Sequence, residues 1–378
     1  MKKKIHILHV VGGMNKAGTE TWLMHVLRNI DKNNFNIDFL VHSNKIYDFS
    51  EEILSYNSKI IPCVNPSIPW KYTRNFLKII KQYGPFDIIH CHVHHYSGFI
   101  LWLAKLANIP VRIAHSHSDT LNLQNKSNIF RRIYYFFMKK LIIHNATAGL
   151  AVSRKAGIAL FGKGWESNKK YKILSCGIDF QNFNKKIIKP YRRTFKIPDN
   201  AFVIGHVGRF VKSKNHIFLI KILKMLIKSD PYTYLLFVGD GPLKKNIEKI
   251  AANEGLKNNV IFTGVRDDIA DIMLGVMDVF VFPSFYEGLG IVIIEAQAAG
   301  LPIVMSDTIP EEVDVVEQLI KRVPLKQSIL SWVDVILEMK NTKNKIPHQQ
   351  ILEVLNNSQY NISLNIKDLE NFYTDLLR

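Results

Sequence analysis

Short apolar runs alternate with helix-like segments along nearly the whole chain, and the alternation starts over once. Ile5–Val11, Phe35–Val41, Asp87–His92, Val111–Ala114, Leu150–Val152 and Ile173–Leu174 read as buried strands, with helical stretches between them such as Thr19–Ile30 and Leu101–Ala107. The pattern resumes with strands at Phe202–Val207, Tyr234–Val238, Val260–Phe262, Val279–Phe282 and Ile303–Met305, and a helix over His216–Ser229. Continuous apolar strands separated by helices demand a parallel sheet covered on both faces. With 378 residues, 47% of them hydrophobic, the chain exceeds one ordinary core and suits two α/β domains. The polar, basic stretch Lys185–Asn200, with Pro190 and Pro198, reads as the linker. We therefore expect two Rossmann-like, doubly wound domains facing a cleft. Their boundaries are 1–185, rejoined by a final helix at about 362–378, and 200–361.

No apolar run reaches the length of a membrane span. The opening MKKKIHILHVVGG holds only seven apolar residues before a Gly-Gly turn, so it reads as a first strand rather than a signal peptide. Cys63, Cys91 and Cys176 form no disulfide or zinc spacing, which fits a reducing, cytoplasmic setting. The net charge of +18 is lopsided: residues 1–190 hold 28 Lys/Arg against 10 Asp/Glu, whereas residues 191–378 hold 22 of each. A Lys-, Asn- and Ile-rich composition explains many lysines but not this asymmetry. An acidic partner for the first half does, be it nucleic acid, an anionic membrane or a phosphate-bearing substrate. No recognisable RNA- or DNA-binding module is present.

Ligands of doubly wound sheets bind beyond the C-terminal ends of the strands. Five groups of residues fall there. In FPSFYEGLGIVIIEAQAAGLP, a strand ending at Phe282 leads through Glu287 and Gly288 into a helix from about Leu289, which Gly300 and Pro302 stop. The amides of Gly288–Ile291 are unsatisfied donors suited to phosphate, and Glu287 and Glu295 can accept hydroxyl hydrogen bonds. A capped surface helix with two solvated glutamates has the same pattern. In HVGRFVKSKNH, Arg209 and Lys214 follow a strand; they can neutralise a diphosphate, or be plain surface cations. VVGGMNKAGTE places Gly12 and Gly13 where a ligand can approach the backbone, with Thr19 as an ordinary N-cap. It is neither G-x-G-x-x-G nor a P-loop. Histidines 90, 92, 94, 95, 115 and 117 follow two first-half strands. Zinc is one reading of them and a polar or catalytic role another, the spacing matching no known metal site. The turns FVGDGPL, with Gly239, and FTGVRDD, with Val265 and Arg266, are either further ligand loops or ordinary turns. No two aspartates are separated by a single residue, so the metal-holding D-x-D of a diphosphate site is missing. Charge stabilisation then falls to Arg209, Lys214 and the helix N-terminus, with no metal and no cofactor expected.

In this order, the Gly-Gly loop, VGR…K, VGDGPL, FTG and E-x7-E followed by AQAAGLP resemble the retaining family 4 glycosyltransferases. RIAHSHS, SCGID and FPSFYEGLGIVIIEAQAAGLP are similar to the branch that builds capsular and exopolysaccharides. The resemblance runs from Ile5 to the last helix. It implies the GT-B fold, with the acceptor on the first domain and the nucleotide-sugar donor mostly on the second. It implies metal-independent, hexosyltransferase-type transfer from a nucleotide-sugar, by family frequency a UDP-sugar, with retention at the anomeric carbon. It assigns the diphosphate to Arg209 and Lys214, the sugar hydroxyls to Glu287, the ribose to Glu295, and sugar and phosphate to the amides of Gly288, Leu289, Gly290, Ile291 and Val292. The base falls to the loop at Val265 and Arg266, with Gly239 also on the donor side, and Gly12 and Gly13 close over the diphosphate. The active-site histidine matches His117, with His115 as second choice; His92 and His115 are acceptor-side candidates. Gly290 stands where many relatives have proline, a change read as one of loop stiffness.

The implied acceptor is a glycan or a sugar on a lipid diphosphate, which gives the basic half a reason. NIFRRIYYFFMKKLII (128–143) mixes cations and aromatics at helical spacing, consistent with peripheral contact with an anionic membrane or with a buried amphipathic helix. The alternatives are a GT-B nucleotide-sugar 2-epimerase and a non-catalytic binder of an acidic partner. E-x7-E with VGRFVKSKNH fits transferases better than epimerases, and intact Arg209, Lys214, Glu287 and Glu295 argue against a degenerate enzyme.

Overall fold

The computed structural model describes residues 3–64, 66–185, 191–342 and 345–378. The chain divides into two compact units, Met1–Ile178 with Gln359–Arg378, and Asp179–Ser358.

The first unit holds seven strands: β1 Ile5–Val11, β2 Phe35–Val41, β3 Ile60–Pro62, β4 Ile88–Cys91, β5 Val111–Ser116, β6 Ala148–Ala151 and β7 Tyr171–Ile173. They lie in the order β3-β2-β1-β4-β5-β6-β7, with every pairing parallel. The chain winds outward from β1 to one edge, then crosses to β4 and winds to the other. The reversal leaves a crevice beyond the ends of β1 and β4. Strands β4 and β6 are buried at every residue, as a sheet covered on both faces requires. One face packs on Tyr72, Phe76, Ile100, Leu103 and Ile142. On the other, the helix Gly18–Asn29 packs beside the last helix, Ile362–Asp375. That last helix is tied down by two buried polar contacts. Trp22 Nε1 donates to Asn365 Oδ1 at 2.9 Å, and the Tyr373 hydroxyl meets His90 Nδ1 at 2.7 Å.

The second unit repeats the plan with β8 Phe202–Val207, β9 Thr233–Val238, β10 Val260–Phe262, β11 Val279–Phe282, β12 Ile303–Ser306 and β13 Ile320–Val323. The order is β10-β9-β8-β11-β12-β13, all parallel, so its crevice lies beyond β8 and β11. Its core gathers Phe210, Leu219, Leu223, Phe237, Ile247, Trp332 and Ile336.

Three expectations need correction. The boundary falls at Ile178 rather than 185, because Phe180 and Phe183 are buried in the short helical turn Phe180–Phe183, which packs on second-unit helices Ile269–Gly275 and His348–Asn356. The last part of the expected linker is not a linker. Arg192 is held by both oxygens of Asp278 (2.8 and 2.9 Å) and by the Ala201 carbonyl, and the Tyr191 hydroxyl donates to Asp271. Pro190, with 186–189, lies outside the described residues. Finally, Ala17 and not Thr19 is the N-cap of the first helix, with no side-chain cap, so Thr19 sits within the first turn. No helix among the described residues is long and apolar enough to cross a membrane.

Candidate functional site

In the second unit β8 and β11 are paired neighbours, so the loops after Val207 and Phe282 leave the sheet side by side. They are stitched together: the Phe285 amide donates to the Ser213 carbonyl at 2.8 Å, and Asn215 Nδ2 to the Pro283 carbonyl at 3.1 Å. Across this seam Lys214 Nζ lies 2.8 Å from Glu287 Oε1, their side chains only 16% and 13% exposed. The Phe282 ring sits 4.5 Å from the ammonium, adding a cation–π contact. An ion pair so short of water is costly to break from one side, so each partner fixes the other. Arg209 is exposed on the same loop as Lys214, and its guanidinium has no ion-pair partner among the described residues.

The helix after Glu287 runs from Ile291 to Ala298, starting two residues later than expected. Gly290 is its N-cap at φ +90°, ψ 50°. Proline is locked near −65° and cannot take this φ. The difference from proline-bearing relatives is therefore one of backbone path, not only of stiffness. Gly288, Leu289 and Val292 are buried and Ile291 is half-buried; the first amides of the helix lack intrahelical acceptors by construction. Glu295 has a partly exposed surface within a densely packed surround, and loss of water pushes its carboxyl up to about 7.

Sequence reading passed over Gln297. Its buried amide donates to the Val313 carbonyl at 2.8 Å and accepts from the amides of Val316 (2.7 Å) and Val315 (3.2 Å). It clamps the helix to the 313–316 segment; a lone amide in an otherwise apolar helix was the available signal. Ser306 and Thr308 hydroxyls both donate to the Ser284 carbonyl, fixing the start of the Glu287 loop.

Gly239 follows β9 at φ +134°, and a Cβ there would sit 2.3 Å from the Gly208 carbonyl oxygen. Its amide donates to the Gly264 carbonyl at 2.8 Å. The β8, β9 and β10 loops thus touch backbone to backbone, which only glycine permits. Beyond β10, Val265 is 56% exposed. The Arg266 fork is already bound to both oxygens of Asp268 at 2.8 and 2.6 Å, so it is not a free donor.

In the first unit, Gly12 is exposed and Gly13 sits against Tyr47, whose Cε1 a Cβ would approach to 2.5 Å. The Gly13 requirement is therefore one of packing, whereas Gly12 has open space. Five of the histidines form one nest. His9 on β1 lies opposite His90 on β4 in register, a member that sequence reading missed. His92 links the two ends of a chain: its Nε2 meets His9 Nδ1 at 2.9 Å and its Nδ1 meets His117 Nε2 at 2.8 Å. Each contact holds one proton, so the chain runs in a single direction. Trp22 covers the nest with its edge, 5.3 Å from His115. His115 has no exposed surface, whereas His92 and His117 are half-buried at the loop end. Burial lowers His9 and His117 to about 3 and holds His90, His92 and His115 well below the usual imidazole range, so all five are neutral at pH 7. His94 and His95 pair with each other, Nδ1 to Nδ1 at 2.6 Å, and stand outside this chain.

Two family descriptions cover most of the chain: "Glycosyltransferase Family 4" over residues 17–182 and "Glycosyl transferases group 1" over residues 188–352. EpsF of Bacillus subtilis (strain 168) is 36% identical over 97% of this chain and 96% of its own. The chain is a family 4 glycosyltransferase. The capsular polysaccharide biosynthesis glycosyltransferase CapH of Staphylococcus aureus is 26% identical over 98% of both chains. Among solved structures, Anabaena HepE in complex with UDP and glucose matches with a TM-score of 0.80 at 18% identity, over 98% of this chain and 100% of that one. The fold of this family 4 member is thus GT-B, two doubly wound α/β units.

Proposed function

We propose that this glycosyltransferase transfers a hexose, with retention, from a UDP-sugar to a glycan or lipid-diphosphate-linked acceptor in capsular or exopolysaccharide assembly, and that it needs no metal to do so. The observation that carries the reading is the Lys214–Glu287 pair, with exposed Arg209 on the same loop as Lys214 and Glu287 on the loop that leads into the Ile291–Ala298 helix. Two cations and a helix N-terminus are what a departing diphosphate needs when no ion is there to neutralise it. Glu287, held by Lys214, then presents a fixed carboxylate to sugar hydroxyls, and Glu295 one to the ribose. Val265 supplies an exposed apolar edge for the base, whereas Arg266, engaged by Asp268, serves through its planar face. The likeness to HepE, which binds UDP and glucose, supports UDP, and that to the capsular polysaccharide glycosyltransferase CapH supports capsular polysaccharide. His117 is the histidine assigned to the sugar, because His115 is sealed.

The acceptor side is supported by the helix Ile129–Asn145. Phe130 (80% exposed), Phe136, Phe137, Ile129 and Ile133 stand in solvent beside Arg131, Arg132, Lys139 and Lys140, and only Ile142 and Asn145 are buried. An aromatic and cationic face suits an anionic interface, where the acceptor lipid would reside.

The test is product analysis. With UDP-sugars and a lipid-diphosphate-linked acceptor in EDTA, UDP release and an axial–equatorial H1–H2 coupling matching the donor's anomeric configuration are expected. Inverted product, a strict need for added metal, or epimerised donor without acceptor would each overturn the reading.

A further inference from the structure

The histidine nest has a property that sugar transfer does not use. Three adjacent parallel strands, β1, β4 and β5, deliver five imidazoles to one end of the first sheet, with ring centroids 4.0 Å apart for His115 and His117 and 5.5 Å for His92 and His115. One ring nitrogen each from His92, His115 and His117 lies within 4.8 Å of the others, and the same holds for His9, His90 and His92. Ligand nitrogens about 2.0–2.1 Å from a tetrahedral zinc stand about 3.4 Å apart, so a small turn of each ring closes the first set on an ion.

The chemistry of the donors narrows the ion. Neutral imidazole is the form that ligates. Lone pairs are available: His9 Nε2 and His90 Nε2 are buried with no hydrogen-bond partner, and His115, which meets only the Leu174 backbone, keeps one lone pair when uncharged. The donors are nitrogens with no carboxylate among them, which favours zinc, copper or nickel over magnesium, calcium or manganese. Cys176 Sγ lies 4.0 Å from His117 Nδ1, a thiol within reach as a fourth ligand. The His92–His115–His117 set is the accessible one, because His92 and His117 reach the surface while His9 and His90 do not.

We propose that His92, His115 and His117 form a binding site for one zinc-like divalent cation in the first unit. Bound there, the ion occupies His117 and inhibits transfer. The inhibition rests on the reading of His117 given above; the binding does not.

The experiment titrates chelator-stripped, untagged full-length chain with Co2+, followed by its visible d–d bands and by equilibrium dialysis, and in parallel measures transfer with added Zn2+. Expected are one saturable equivalent, intense bands of four-coordinate cobalt, and affinity at least tenfold weaker in both His115→Ala and His117→Ala. His144→Ala, at an exposed histidine, should leave binding unchanged. If His115→Ala does not fold, His117→Ala, at a half-buried position, decides. Absence of a saturable equivalent, or retention of it in His117→Ala, overturns the site. Tight one-to-one binding without loss of transfer would instead keep the site and reject the role given to His117.

Discussion

Lys214 and Glu287 come from loops far apart in sequence, and their contact determines what either can do. Removing Lys214 leaves a carboxylate 13% exposed without its counter-charge, and removing Glu287 strands the ammonium. Lys214→Ala and Glu287→Gln should each lower kcat by on the order of 10²–10³, the loss typical when one preorganised charge-stabilising group is deleted. Initial rates with wild-type-like circular dichroism test this, and near-normal turnover in either variant would refute it. Glu295 makes a pH prediction. Its folded carboxyl is raised from 4.5 to about 7, so between those values the native state binds more protons than the unfolded one. Stability therefore falls as pH rises through that window. Glu295→Gln, which mimics the neutral acid, should remove the fall, so its stability relative to wild type should be greater at pH 8 than at pH 5 by about 1–3 kcal/mol, read from denaturant midpoints. The individual residues were legible in sequence because each follows a strand end; their partners were not. Nothing in FTGVRDD shows that Asp268 has taken the Arg266 fork, and nothing near His92 announces His9 on another strand.

Among elements, the long apolar strands were readable from their runs alone. The two that escaped, β3 Ile60–Pro62 and β13 Ile320–Val323, are sheet edges. β13 carries Lys321 and Arg322, and β3 ends in proline, so neither presents a continuous buried run. The helix that carries Glu295 began later than its sequence suggested because its cap needs a left-handed glycine. Backbone contact between loops was equally invisible. Gly239 abuts the Gly208 carbonyl, and Gly239→Ala must shift one loop or the other. We expect a stability loss of about 1–3 kcal/mol, and with it weaker nucleotide binding because the Arg209 loop moves. Thermal denaturation and nucleotide titration would check this, and unchanged values of both would contradict it.

At the scale of the whole molecule, the doubled β/α rhythm was enough to expect two doubly wound units. It could not place the boundary, because the segment after Ile178 is anchored by Phe180 and Phe183 and not by composition. The charge asymmetry belongs to this scale too. The first half carries the whole excess of +18, and its exposed aromatic helix offers a surface where that charge can act. Sedimentation with anionic vesicles should be strong at low salt and weaken as salt rises, and Phe130→Ser with Phe136→Ser should reduce it about tenfold or more. No binding at moderate salt would remove the membrane contact.

A donor site in the second unit that works without metal should show itself in a thermal shift with UDP in EDTA. At 100 times the dissociation constant a ligand specific for the native state adds about 2.7 kcal/mol, or about 5–10 °C for a unit of this size. The wild type should show that shift, unchanged by EDTA, and Arg209→Ala and Lys214→Ala should lose it. A shift that requires added metal, or none with any nucleotide, would contradict such a site.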